Sequence, residues 1–311
     1  MRGDCLKSCI AFSVLISVFI IACSSNKNSN AIIIEGKIPS HGGKKIYLYG
    51  FINDTEKYRG IKVLIDSSDI SSNGKYFFSI KENTNYLFDL RTKDSIRVTN
   101  LFLQPADKLV LNFSKGAQPE IPGDDACSKY NNYLLQFTDS FYRNPDARGM
   151  YYVGSNYLTL PDYHTYTAGR CHQQLLFYQH YFSSNPPDSL FANFAISEIN
   201  YQYGNDNLLF LWKRRMRGLK AIDDSTSYDF LKLVKIENPG ALNSPAYFYF
   251  LHLYINELYN QEIERRNLTG VNQTASRVAE EKILLAEKYL TGKFREIAEL
   301  NIDESLGKNF K

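Results

Sequence analysis

The chain lacks most of the signatures that announce a chemistry. It has five cysteines in 311 residues, with no Cys-x-x-Cys pair and no Cys/His spacing suited to zinc. That is too few for a disulfide scaffold and in the wrong pattern for a dithiol reductase or a structural metal. No His-Glu-x-x-His, Gly-x-Ser-x-Gly or phosphate-cradling glycine loop occurs, so the commonest metalloprotease, esterase and nucleotide-binding patterns are missing. Charge of one sign is also missing. Lys and Arg number 36 against 33 Asp and Glu, a net charge of +3, with no basic stripe interleaved with aromatics. This excludes nucleic acid as the expected partner. No apolar run reaches the roughly 20 residues of a membrane-spanning helix, and no repeat of solenoid length is present. The composition is that of a folded protein, 44% hydrophobic and 22% charged.

The N-terminus carries an address. Arg2 and Lys7 make a basic start, slightly offset by Asp4, and Ile10 opens an apolar run that ends at Ile21. Such a run suits the h-region of an export signal. It closes on Ile20-Ile21-Ala22-Cys23 and gives way to the polar stretch Ser24-Ser25-Asn26-Lys27-Asn28-Ser29-Asn30. These residues resemble a bacterial lipobox, which implies that Cys23 is acylated and becomes the first residue of the mature protein. Residues 1–22 are then the signal, and 23–30 a flexible tether. The acyl chains, each buried CH₂ contributing about 0.8 kcal/mol, make the membrane a permanent partner. Ser24 is not the aspartate that retains many lipoproteins at the inner membrane, and the tether lacks an acidic cluster of the surface-export type. The expected location is the outer membrane, facing the periplasm.

Beyond the tether the period of the pattern changes once. Short blocks over 31–37, 45–51, 61–66, 75–80, 86–91, 95–99, 101–104 and 108–113 read as strands, several with period-two alternation. Turn chemistry separates them: Ser40-His41-Gly42-Gly43, Asn53-Asp54, Ser72-Asn73-Gly74 and Pro105-Ala106-Asp107. After Ile121-Pro122-Gly123 the spacing becomes helical, with Asp124 or Asp125 as a first cap. Helices are expected from that cap towards Pro145, and over 162–183, 188–217, 226–236, 245–266 and 275–306, the last broken or kinked at Gly292. The fold class is therefore α+β: an N-terminal antiparallel β-sandwich over 31–121, followed by an α-helical domain over 122–311.

Several short motifs carry a family resemblance. Ile33-Ile34-Glu35-Gly36-Lys37-Ile38 with Lys45-Ile46-Tyr47-Leu48-Tyr49 resembles the opening hairpin of a β-domain in Bacteroidetes lipoproteins. Ile65-Asp66-Ser67, Asn73-Gly74-Lys75-Tyr76-Phe77-Phe78, Phe102-Leu103-Gln104-Pro105-Ala106-Asp107, Ile121-Pro122-Gly123-Asp124 and Lys288-Tyr289-Leu290-Thr291-Gly292-Lys293 extend it. In that family the β-domain, of unknown function, and a helical segment usually precede a thioredoxin-like domain. The resemblance implies the same two-part body. It carries no catalytic residue over, because a Trp-Cys-x-x-Cys site is missing here and the one tryptophan, Trp212, has no cysteine pair beside it.

The remaining candidates have competing readings. With Cys23 acylated, Cys127 and Cys171 are the one intramolecular pair available. Either they form a bridge, closing a loop of about 45 residues and contributing roughly 3–4 kcal/mol, or they are two buried reduced thiols. His164, His172 and His180 recur every eight residues and so drift around a helix rather than share a face, which argues against zinc. Asp162 and Asp188 read as helix caps. Lys213, Arg214, Arg215, Arg217 and Lys220 form a basic cluster, either a solvated helix end or a contact for anionic headgroups. Tyrosine, with 23 copies, is dense over 163–181 and 246–252. Its rings either pack helix on helix or grip a ligand, with Tyr178, Tyr247 and Tyr249 as the candidate contacts. Three Asp-Ser triplets, starting at Asp94, Asp188 and Asp224, resemble a short O-glycosylation sequon. No cofactor, metal or catalytic residue is implied. The expected function is a lipid-anchored, non-catalytic binding or assembly module for a peptide, glycan or protein of the envelope. The alternatives are an accessory, truncated part of a thioredoxin-linked thiol–disulfide system, or a hydrolase with a spatially assembled carboxylate pair.

Overall fold

The computed structural model describes residues 30–81, 86–93, 96–114, 119–143, 159–219, 225–268 and 273–305. Its architecture is mixed α+β, with the strands first and the helices after them. Strands β1 (Ile32–Lys37), β2 (Lys45–Gly50), β3 (Val63–Asp69), β4 (Lys75–Ile80), β5 (Leu87–Thr92), β6 (Arg97–Phe102), β7 (Lys108–Phe113) and β8 (Pro119–Glu120) form two four-stranded sheets. Their orders are β4-β1-β7-β8 and β3-β2-β5-β6.

Period-two alternation decides which face meets the other sheet. In β4 Tyr76, Phe78 and Ile80 are buried and their neighbours exposed, and in β7 Leu109, Leu111 and Phe113 are buried between the partly buried Val110 and Asn112. These meet Ile46, Leu48, Phe88, Leu90 and Val98 of the second sheet in one apolar cluster. One pairing departs from the expected antiparallel sandwich: β1 runs parallel to β7, Ile33 opposite Lys108. The two backbones approach closely at Gly36, where a Cβ would stand 1.8 Å from the Leu111 carbonyl oxygen. Only glycine fits there. The expected strands 95–99 and 101–104 are one strand, bent at Asn100 (φ 59°), whose N–H donates to Asp89 Oδ1 at 3.0 Å.

The helices are α1 (Asp54–Arg59), α2 (Ala126–Thr138), α3 (Leu160–Tyr181), α4 (Ser189–Met216), α5 (Pro245–Arg265), α6 (Ala275–Tyr289) and α7 (Gly292–Ser305). Their caps are those the sequence chemistry asks for. Asp125 accepts from Ser128 N at 3.0 Å and Asp188 from Phe191 N at 2.8 Å, while Thr159, not Asp162, caps α3. The expected helix over 226–236 is a 3₁₀ segment (Ser225–Lys232), and the expected 275–306 helix is two helices parted at an extended Leu290. Helix α1 replaces an expected turn. Asn53 caps it, accepting from Glu56 N at 2.9 Å, and Glu56 reaches back to Ile52 N at 3.1 Å.

The two halves share a core. Phe51, just past β2, and Leu87 and Phe102 of the second sheet pack into one aromatic cluster with Tyr130, Tyr133, Phe182, Phe191 and Phe194 of the helical region. Asn131 of α2 seals β6, an edge strand of its sheet: its Oδ1 accepts from Phe102 N and its Nδ2 donates to Phe102 O, both at 2.8 Å. The side-chain amide thus replaces a neighbouring strand. Helix α4, 28 residues and roughly 42 Å long, is the spine of the helical half. α5 runs parallel to it. Glu198 Oε1 accepts from Ser244 Oγ (2.6 Å) and Ala246 N (3.0 Å) at one end, and Arg215 pairs with Glu257 further along.

Beside the junction lies a buried ion pair. Burial alone would raise the Asp89 carboxyl, but the Lys62 ammonium at 2.5 Å, Arg91 at 2.6 Å and the Asn100 N–H outweigh it and hold the group below the usual carboxylate value. A carboxyl lowered in the native state contributes stability that is whole above the unfolded value of about 4 and lost as pH falls through the lowered value. The melting-temperature gap between wild type and Asp89→Asn is therefore expected to be widest above about pH 4 and to shrink below it. Thermal unfolding across that range checks this, and a gap independent of pH would contradict it.

Candidate functional site

Residues far apart in sequence meet where α1 leans on the helical half. Tyr58 is buried and packs edge-on against Phe248 of α5, ring centroids 4.9 Å apart. The Lys293 ammonium lies 5.0 Å from the centre of the Tyr58 ring, and Lys57 Nζ donates to Asn243 Oδ1 at 2.7 Å. Asn301 of α7 donates to Ile297 O at 3.0 Å and to Tyr58 O at 3.5 Å. These contacts hold a cleft of about 420 Å³ open between the elements.

Its walls are Tyr58, Arg59 and Gly60 on one side and Pro245, Phe248, Tyr249 and His252 on the other, with Asn301 beside them. Ser244, accepting from Tyr247 N at 3.2 Å, caps α5 and fixes where Pro245 and Tyr249 stand. Tyr249 is 46% exposed, and its ring lies nearly parallel to the His252 imidazole, 14° between planes and 6.3 Å between centroids. Burial and the nearby Lys282 ammonium push the His252 pKa below its ordinary value. The imidazole is therefore neutral at pH 7, and its Nε2 sits 2.9 Å from Asn256 Nδ2. Among the described residues, no carboxylate lines the cleft.

Two other concavities hold ion-paired acids in their walls. One, about 540 Å³ between α5 and α6, is lined by Glu262, Arg265, Arg266 and Glu281. Hydrogen bonds from Arg265 and Arg266 hold the Glu262 carboxyl down at about 2, and Glu281 pairs with Arg266 and Arg277. The other, about 560 Å³, lies over the open face of the first sheet around Phe77, where Glu35 pairs with Lys108 at 2.9 Å.

Of the three tyrosines expected to touch a ligand, Tyr249 alone lines the cleft. Tyr178 is half-buried between Tyr133 and Phe182 in the junction cluster. Tyr247 is fully buried, its hydroxyl donating to Ile236 O at 2.8 Å and accepting from Asn238 N at 3.1 Å. Both are packing residues. Cys127 and Cys171 are free thiols in different clusters, the first in the sandwich core and the second among the helices, so the bridge does not form. Burial raises both thiol pKa values, that of Cys171 to about 11.

The basic cluster is divided: Arg215 turns inward to Glu257 and Glu264, while Arg217 is exposed. His164 packs edge-on to Phe230, and His172 and His180 are exposed. Cys23 and the lipobox residues Ile20, Ile21 and Ala22 lie outside the described residues, as do Asp94, Lys220 and Asp224. Among the described residues, no group of three His, Cys, Asp or Glu is placed to hold a metal, and no helix is long and apolar enough to cross a membrane. Sequence reasoning missed Tyr58 and Arg59, although Asn53 followed three residues later by Glu56 is a legible helix start.

The chain's class is a two-sheet sandwich fused through a shared aromatic core to a helical layer, with an open cleft where α1 meets the helices. No known protein family, curated protein or solved structure matches it.

Proposed function

We propose that this protein is a lipid-anchored module of the bacterial cell envelope that binds a small ligand or chain end without transforming it. The lipobox-like Ile20-Ile21-Ala22-Cys23 supports the anchor. The observation that carries the binding role is the cleft between α1 and α5: a half-exposed tyrosine, a guanidinium and an apolar floor, held by contacts from three separate chain segments. Its described walls offer surface for recognition, and among the described residues no pair of facing acids for hydrolysis lines it.

A role in thiol–disulfide exchange has less support. Exchange needs a thiolate, and burial disfavours the thiolate form of both Cys127 and Cys171.

A ligand that binds the native state raises its melting temperature. In a panel of N-acetylated amino acids, short peptides and N-acetylhexosamines, at least one compound is expected to do so, and Tyr249→Ala is expected to remove that shift. A silent panel, or a shift that survives in Tyr249→Ala, would contradict the cleft as the site.

A further inference from the structure

The charge of the cleft defines the chemistry of its occupant, an inference that rests on the binding role above. Three other arginines with partly buried side chains each meet a carboxylate. Arg91 meets Asp89 at 2.6 Å, Arg170 meets Asp206 at 3.3 Å, and Arg215 meets Glu257 and Glu264. Arg59 has no hydrogen-bonded or ionic partner among the described residues, and its Nε–H is buried without an acceptor.

The surrounding charge does not replace that partner. Lys57 is bound to Asn243, and Lys293 lies over Tyr58 and 3.6 Å from Glu296. Asp54, the acid at the start of α1, acts on Tyr58, Lys57 and Lys293 and is not part of the cleft wall. A guanidinium presents paired donors that match a carboxylate. Around it Pro245, Phe248 and the Tyr249 ring offer carbon rather than hydrogen-bonding groups. Such a surface suits one ring or aliphatic side chain beside the anion.

We propose that the cleft binds an apolar carboxylate, with Arg59 holding the anion and the Tyr249 ring covering the apolar body. An aryl-substituted amino acid with a free carboxylate has both parts within the size that about 420 Å³ admits.

The test is calorimetric titration of the full protein with N-acetylphenylalanine and with its uncharged C-terminal amide. Hydrogen bonds to a charged group imply that the carboxylate binds roughly ten- to hundredfold more tightly. Arg59→Gln, checked for an unchanged melting temperature, is expected to erase that preference and leave amide affinity as it was, and Arg59→Lys to restore part of it. Tyr249→Ala is expected to weaken both probes together. Equal affinity for the two probes, or a preference that persists in Arg59→Gln, overturns the assignment and leaves the binding role standing. Failure of both probes overturns the assignment too, and with a silent panel removes the binding role as well.

Discussion

Replacing Phe102 by alanine is expected to cost about 3–5 kcal/mol, the usual range for emptying a buried aromatic site. It is also expected to weaken the sheets and the helices together. The side chain is fully buried, stacked on Tyr86 and Phe194 at 5.8 and 5.2 Å and edge-on to Phe191 at 5.1 Å. Those partners come from both halves of the chain, so the cavity cannot be confined to one of them. The backbone of the same residue is fixed at both ends of its peptide groups by Asn131, which limits how far β6 can collapse into the void. Urea unfolding followed by far-ultraviolet circular dichroism, which reports mainly on helices, and by near-ultraviolet dichroism of the aromatic cluster should show one transition moved to lower denaturant. A near-ultraviolet change with an unmoved helical transition would mean that the two halves fold independently.

The second large effect is expected at the far end of α4. Glu257 is 3% exposed and receives both terminal nitrogens of Arg215, with the Tyr228 hydroxyl on the same carboxylate, while Arg215 Nε donates to Glu264 at 2.6 Å. Arg215→Ala would leave a buried carboxylate without its cation. Breaking such a pair from one side typically costs about 3–5 kcal/mol. The size of that loss comes from the stranded charge rather than from the worth of the pair. Adding Glu257→Gln to Arg215→Ala is therefore expected to recover a good part of the stability, because a neutral amide costs less to bury. Denaturant midpoints of the two single variants and the double variant form the test. Additive losses, with no recovery in the double variant, would show that the pair contributes by packing alone.

Local chemistry made much of this fold legible. Period-two stretches such as 75–80 and 108–113 became strands with the same limits, and Asp125 and Asp188 became the caps that their position before an apolar-periodic run requires. Pairing was not legible, because alternation fixes which face is buried and says nothing about which strand lies alongside. That is why the parallel β1–β7 pair, enforced at Gly36, was beyond the pattern. Asn53-Asp54 reads as a turn when the dipeptide is taken alone, and as a helix start only when Glu56 is counted with it.

The cleft was half legible for the same reason. Tyr249 stood out in an aromatic-rich segment, but Tyr58 meets Asn301 across 243 positions, a contact that no local pattern encodes. Tyr178 and Tyr247 were equally conspicuous and turned out to pack, since ring density marks helix contacts as readily as it marks binding surfaces.

The proposal that this body works from a lipid tether is tested most directly by the intact mass of the protein extracted from membranes, beside that of Cys23→Ser. The expected wild-type mass begins at Cys23 and carries diacylglycerol and acyl additions, with the protein in the membrane fraction, and Cys23→Ser should lose the additions and the membrane association together. A wild-type protein that keeps residues 1–22 or lacks the lipid, and still fractionates as Cys23→Ser does, would contradict the anchor and leave the cleft to be explained away from a membrane surface.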